Sequence, residues 1–380
     1  MPVRVPVKPG LLQWAIDRAG WAVDDAPARF PWINKEIDPT FKQLETFAHA
    51  AHVPVGFLLL AEPPIEDVPI PDFRTRRNER RDQLSPDLRD TIYACQRRQA
   101  WFREFAAERG FERVSLVGSA RIGDAPALVA AHIRTAIGFD MERRSGFKSW
   151  EAAFRQLIDL IESAGVLVSV NGIVGADTHR ALDPREFGGF ALVDDYAPLI
   201  FVNGADTKAA QIFTIIHELA HIVAGESALS DAGVARENDD DHEVWCNQVA
   251  AEVLIPRAAI LVDYRGTPDS IELDRLAALY RVSTLVVLHR LFEVGVIQWE
   301  PYRARYEEEL ARVRALAQRK AGDGGGNYYY TQPLRLGRRF ARAVVTDTRR
   351  GGTAYGEAYR LLGTAKPATF DRLAAELGVA

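Results

Sequence analysis

The stretch that decides the fold is QIFTIIHELAHIVAG, at residues 211–225. Its apolar residues recur at helical spacing, which predicts a helix that ends at Gly225. His217 and His221 are four residues apart, so on a helix both imidazoles lie on one face and can bind the same metal ion. Glu218 stands beside them, where a carboxylate can face metal-bound water. The pattern HExxH therefore predicts a zinc site with Glu218 as its catalytic residue.

A catalytic zinc site needs a third protein ligand and keeps its fourth position for water. The next predicted helix, residues 243–256, carries Glu243 and Glu252. They are two and a half turns apart and cannot share a face. We favour Glu243, because Val253 marks the buried side near the later carboxylate, whereas Asn247 lies one turn beyond Glu243 and its amide can orient a ligand. Glu252 remains the alternative.

The chemistry expected of such a site is peptide hydrolysis. Zinc bound by two imidazoles and one carboxylate lowers the pKa of its water to roughly 7 and polarises the scissile carbonyl. Glu218 would take the proton from that water and pass it to the leaving amine.

Composition limits what the rest of the chain can be. A chain of 380 residues with 47% hydrophobic residues is expected to form two or three globular domains. The net charge of −5 excludes a generally polycationic nucleic-acid-binding surface. Only two cysteines, Cys95 and Cys246, are present, which excludes a disulfide framework and indicates a reducing, cytoplasmic location. No run of 18 apolar residues is present, so we expect no membrane partner.

The middle of the chain is predicted to be α+β, with a small sheet in front of a helical bundle. Short β-rich runs bounded by turn residues predict the strands, and apolar periodicity predicts the helices. The expected strands are 166–170, 190–193 and 199–202, and the expected helical segments that follow are 207–225, 241–255 and 271–294.

Three domains are expected: a helical module at 1–72, the zinc domain at 85–300, and a C-terminal helical extension at 301–380. Prolines between residues 63 and 71, and then the arginine-rich stretch 74–81, indicate the first boundary. Residues 321–327 contain four glycines and predict a flexible linker. The segment 301–350 carries a net charge of +7, so we expect the tail to be a flexibly attached arm that recognises a partner. A helical cap packed on the zinc domain is the alternative.

The zinc region resembles the ImmA/IrrE family of metallopeptidases. The resemblance rests on FALVDD at 190–195, APLIFVN at 197–203, FTIIHELAH at 213–221 and EVWCNQVAAEVLIP at 243–256, in that order and spacing. It implies a gluzincin-like fold, with zinc held by His217, His221 and Glu243 and with Glu218 as the base. Members of the family typically cleave a repressor in a stress-response or mobile-element circuit.

The N-terminal module is similar to the Xre-type helix-turn-helix, through residues 11–20, 38–48, 54–64 and 70–75. That resemblance implies DNA binding. However, residues 26–38 leave little room for a recognition helix, and residues 1–70 carry a net charge of −3, which disfavours contact with phosphates. A helical docking or homodimerisation module is the alternative.

The tail is similar to the end of Xre–peptidase fusions that are encoded beside a PIN-type ribonuclease toxin. Two functions therefore remain open. The first is a zinc endopeptidase that cleaves one regulatory protein, either a repressor or a toxin. The second is an antitoxin or transcriptional regulator that neutralises a neighbouring toxin by binding, without proteolysis.

Overall fold

The computed structural model describes residues 4–22, 24–34, 37–64, 84–139, 146–147, 149–230, 241–320, 328–364 and 366–379. Its contacts divide the chain into two compact units. The first comprises residues 1–69 and 78–93, and the second comprises residues 70–77 and 94–380. Most of the expected linker at 63–71, the arginine-rich stretch 74–81 and the glycine-rich stretch 321–327 lie outside the described residues.

The first unit is a small helical module. It contains α1 (Pro9–Arg18), α2 (Asp25–Arg29), α3 (Phe41–Ala50), a 3-10 helix (Val55–Leu59) and the start of α4 (Pro86–Glu108). Thr40 begins α3: its side chain accepts a hydrogen bond from the Gln43 N–H, and the Gln43 side chain accepts one from the Thr40 N–H in return. The buried Arg18 pairs with Asp90 at 3.1 Å and fixes α1 to α4.

Among the described residues between α1 and α3, the structure has the five-residue helix α2. A helix-turn-helix role for this module stays a prediction.

The second unit is α+β, as expected. Its helices before the sheet are α5 (Pro126–Ile137) and α6 (Trp150–Ser163). The strands are β1 (Leu167–Asn171), β2 (Ile173–Val174), β3 (Asp177–Ala181), β4 (Gly189–Leu192), β5 (Leu199–Asn203) and β6 (Ala228–Ser230). The later helices are α7 (Lys208–Ala224), α8 (Asp241–Leu254), α9 (Arg257–Asp263), α10 (Ser270–Tyr280), α11 (Thr284–Glu293), α12 (Trp299–Lys320), α13 (Tyr328–Leu336), α14 (Arg338–Arg349), α15 (Tyr355–Leu362) and α16 (Pro367–Glu376).

Four strands form one sheet, in the order β1-β5-β4-β6. β1 and β5 are parallel, whereas β4 is antiparallel to both β5 and β6. The three strands expected from sequence are present, and β6 is an addition at the edge. β2 and β3 form a separate hairpin. Apolar side chains from the sheet and from α5–α8 make one continuous core, so the helices that carry the metal motif are fixed from several sides.

The segment 271–294 is two helices and not one. Arg281 ends α10 in the left-handed conformation, with φ of 52°, and Ser283 begins α11 by accepting a hydrogen bond from the Val286 N–H. The apolar period continues across this junction because both helices face the same core.

The described part of the C-terminal extension packs against β1 and α6, so the prediction of a flexibly attached arm is wrong there. The Ser169 hydroxyl on β1 donates a hydrogen bond to the Arg335 carbonyl, and the Arg339 N–H donates one to the Glu162 carboxylate at 3.1 Å. A Cβ atom added to Gly337 would lie 2.5 Å from the Val168 carbonyl oxygen, so the two backbones touch. The glycines at 321–327 indicated a flexible connection, but they do not show whether the helices that follow pack against the rest of the protein.

Candidate metal centre

Helix α7 is built to hold its motif in the core. Thr207 begins the helix by accepting a hydrogen bond from the Ala210 N–H, and Gly225 ends it in the left-handed conformation, with φ of 78°. Nearly every residue from Gln211 to Val223 is buried, because α7 packs against the sheet on one side and against α6 and α8 on others. The motif is therefore not a surface pattern of a solvated helix.

Helix α8 is fixed against α5. The Trp245 indole N–H donates to the Asp124 carbonyl at 2.8 Å, and Arg134 donates to the Glu252 carbonyl at 2.7 Å. One contact is near the start of α8 and the other near its end, so the helix that carries Glu243 is fixed at both ends.

The structure brings His217, His221 and Glu243 together. Their candidate ligand atoms all lie within 4.8 Å of one another, and all three residues are buried. The two Nε2 atoms are 3.1 Å apart, and each lies 3.2 Å from an oxygen of the Glu243 carboxylate.

These distances fit a zinc ion. A tetrahedral site with bonds of about 2.0 Å separates its ligand atoms by about 3.3 Å. One Glu243 oxygen is also buried without a hydrogen-bond partner. A cation among the three side chains would satisfy that oxygen and both imidazole nitrogens.

Within the cluster, the pKa values of the two histidines shift in opposite directions. Burial alone would lower the pKa of His217, but the Glu243 carboxylate outweighs it and raises that pKa. Burial lowers the pKa of His221. Burial would raise the pKa of Glu243, but the two imidazoles hold it well below its usual range. Glu243 is thus an anion in the folded protein, as a metal ligand must be.

Glu218 lies beside the cluster in the most enclosed position. Its side chain has no exposed surface. Burial raises the pKa of Glu218 to about 8, and the Glu243 charge adds to the effect, whereas the His217 imidazole and the Ser230 hydroxyl act in the opposite direction. A carboxyl group with a pKa near neutrality suits the transfer of a proton.

Gly189 on β4 makes room for this carboxylate. A Cβ atom at Gly189 would meet the Phe201 carbonyl and a Thr214 methyl, each at 2.7 Å, and one Glu218 oxygen at 3.0 Å. The strand can therefore approach α7 this closely only with glycine at that position.

The outer nitrogen of His221 also has a neighbour. The Cys246 sulfur lies 3.5 Å from His221 Nδ1, which leaves Nε2 directed at Glu243. Asn247, predicted to orient a ligand, helps to raise the pKa of His217 through a hydrogen bond.

Glu252, the alternative ligand, is engaged elsewhere. Its carboxylate pairs with Arg290 and accepts a hydrogen bond from the Arg257 N–H. It lies outside the cluster of metal-ligand atoms found among the described residues.

Sequence reasoning missed Ser230. The residue ends β6, is 2% exposed, and its hydroxyl lies 3.1 Å from His217 Nε2 and 3.4 Å from His221 Nε2. The only sequence signal was the short run Ala228–Ser230 after the end of α7, which is too brief to predict a strand.

Comparison with known families supports the same assignment. Residues 162–292 match the family model Peptidase_M78, described as an IrrE N-terminal-like domain, and this match spans α7 and α8 with all four motif residues. Residues 336–376 match a domain of unknown function, DUF8813. Searches of curated proteins and of solved structures gave no match. The central third of the chain thus resembles a metallopeptidase of the ImmA/IrrE type.

Proposed function

We propose that this protein is a zinc-dependent endopeptidase with a gluzincin-like site that cleaves one specific regulatory protein, a repressor or a toxin. The observation that supports it most is the convergence of His217, His221 and Glu243 in one buried cluster, with Glu218 next to it. The match to the Peptidase_M78 model points to the same class.

In this proposal the two imidazoles and Glu243 hold the zinc ion, and Glu218 is the catalytic residue. Zinc supplies a Lewis acid and an acidic bound water when it is present. Glu218, beside the cluster, would take a proton at its ionised carboxylate and deliver it to the leaving amine. Cys246, at the outer nitrogen of His221, orients that imidazole.

Metal analysis of the purified protein tests the ligand set. We expect about one zinc ion per chain for the wild type, and loss of zinc in Glu243→Ala because only two ligands remain. Glu252→Gln is the matched control on the same helix, and it should keep its zinc. Loss of zinc in the control variant alone would reverse our choice of ligand.

Proteolysis is tested with Glu218→Gln. This variant should keep zinc but lose cleavage of the partner by a factor of at least about 100, because the base is gone and the ligands are intact. The substrates to use are the purified products of the genes adjacent to its own.

The alternative is an antitoxin-like or transcriptional regulator that acts by binding. The enclosure of the site supports it, since His221 and Glu218 have no exposed surface. If Glu218→Gln neutralises the partner as fully as the wild type does, the binding function holds and the enzyme function fails.

Two finer features belong to the same proposal. The helical module at 1–72 would contact DNA, or would serve docking or homodimerisation, and a gel-shift assay with the upstream DNA separates these. A cytoplasmic location agrees with Cys95 and Cys246, which are both buried and not joined in a disulfide. Among the described residues, the search for a helix long and apolar enough to cross a bilayer found none.

A further inference from the structure

Ser230 approaches the imidazoles from the side where a metal ion would bind. Its hydroxyl lies near the Nε2 atoms of both histidines, and these are the same atoms that face Glu243. The Cys246 sulfur, by contrast, lies at the outer Nδ1 atom of His221. A group that only orients a ligand imidazole binds its outer nitrogen, as Cys246 does. Ser230 therefore lies on the metal-facing side of the imidazoles, whereas Cys246 lies on the outer side.

The distances around Ser230 are those between ligands of one ion. Its oxygen is 3.1 and 3.4 Å from the two Nε2 atoms, which are themselves 3.1 Å apart. Tetrahedral zinc sets its ligand atoms about 3.3 Å apart. If Glu243 were the third ligand of a bound ion, the Ser230 oxygen would be near enough to both imidazoles to take the fourth position, the one that a catalytic site reserves for water.

We propose that Ser230 is an internal fourth ligand that closes the metal centre in the resting protein. This inference rests on the proposed metal site. The hydroxyl oxygen binds through a lone pair and keeps its proton, so the serine takes the place of the attacking water. The closed site holds metal but cannot activate water until Ser230 withdraws.

The place of Ser230 in the fold allows that withdrawal. β6 has three residues and lies at the edge of the four-stranded sheet, paired only with β4 among the described strands. Ser230 is its last residue and stands opposite Gly189. Moving the end of a short edge strand breaks few backbone hydrogen bonds, so a bound substrate segment can compensate for the cost.

The test uses the full-length protein loaded with Co²⁺, whose visible spectrum reports coordination, with azide as the external ligand. Three proteins are compared: the wild type, Ser230→Ala, and the control Ser227→Ala. Ser227 lies just before β6 and its hydroxyl accepts a hydrogen bond from the Val193 N–H, so the control removes a nearby structural hydroxyl.

We expect Ser230→Ala to bind azide at least about 10-fold more tightly than the wild type, because water replaces serine in the fourth position and exchanges readily. Ser227→Ala should match the wild type. In Ser230→Cys, a thiolate-to-cobalt charge-transfer band should appear, since the side chain reaches the ion.

Equal azide affinity in wild type and Ser230→Ala, or absence of the thiolate band in a cobalt-loaded Ser230→Cys protein, overturns the inference and leaves the metal site standing. If the wild type binds neither zinc nor cobalt, the proposed function itself fails. The two failures are therefore distinguishable.

Discussion

Helices α7 and α8 find their contacts close by in the sequence, whereas helices α13 and α14 find theirs far away in the sequence. In α7 the two histidines are one turn apart, and Glu243 follows on the next helix. In α13 and α14 the partners are on β1 and α6, and Ser169 contacts Arg335 across 166 residues of sequence. Local spacing made the first region predictable, whereas nothing local indicated the packing of the second.

Truncation after Lys320 should have the largest effect and tests this contrast directly. It removes the Phe340 ring, which packs edge-to-face on Trp101 at 5.7 Å, and the Asp347 carboxylate, which pairs with Arg109 at 2.6 Å. We expect an insoluble protein, or a melting temperature at least about 10 °C lower, because apolar surface of the core becomes exposed. Thermal unfolding and zinc content measure this. A soluble truncated protein with unchanged melting and zinc would restore the flexible arm.

Gly337→Ala tests the same packing by adding a single carbon atom. It should lower the free energy of unfolding by roughly 2–4 kcal/mol. The added methyl would lie 2.5 Å from the Val168 carbonyl oxygen, at a φ of +85°. Gly363→Ala is the matched control: φ is +61° there, but the nearest atom is 3.9 Å away. For the control we expect the free energy of unfolding to fall by about 1 kcal/mol, from backbone strain alone. Urea unfolding checks both, and equal losses would mean that α14 does not touch β1.

Of the three changes, Glu218→Gln should have the smallest effect on the free energy of unfolding, and it should stabilise the metal-free protein. The pKa of Glu218 rises from 4.5 in the unfolded chain to about 8 in the folded one, so the folded state binds more protons between these values. Wild-type stability therefore falls as pH rises through that window, and the uncharged glutamine escapes the loss.

The advantage of the glutamine variant should grow by roughly 1–3 kcal/mol between pH 5 and pH 7.5. Urea unfolding of chelator-treated protein at the two pH values measures it. Glu104→Gln, at an exposed position on α4, is the matched control for the change of side chain. A constant difference for Glu218→Gln would contradict the enclosed, proton-binding position of this carboxyl.

The sequence predicted the parts of the site that depend on helical spacing and helix caps. The pairing of His217 with His221, the start of α7 at Thr207 and its end at Gly225 are all local properties. The choice of Glu243 over Glu252 depended on predicting which face of α8 is buried. Its role as a ligand stays a proposal.

Ser230 and the C-terminal packing could not be predicted in the same way. The strand that carries Ser230 is three residues long, and only its pairing with β4 defines it. The four glycines at 321–327 describe the connection and not the contacts of the helices that follow it. Both features are set by tertiary pairing, which a periodic pattern does not contain.

The contact of Gly337 with β1 also affects how the protein is made. β1 lies at an edge of the sheet, and the backbone that touches it emerges from the ribosome more than 160 residues later. During that interval the nascent chain presents an unprotected strand edge and the apolar face of α4, which are sites for association with other chains. Packing of this unit is thereby incomplete until synthesis has passed α14, so a chain that ends within α12 would expose surfaces prone to aggregation.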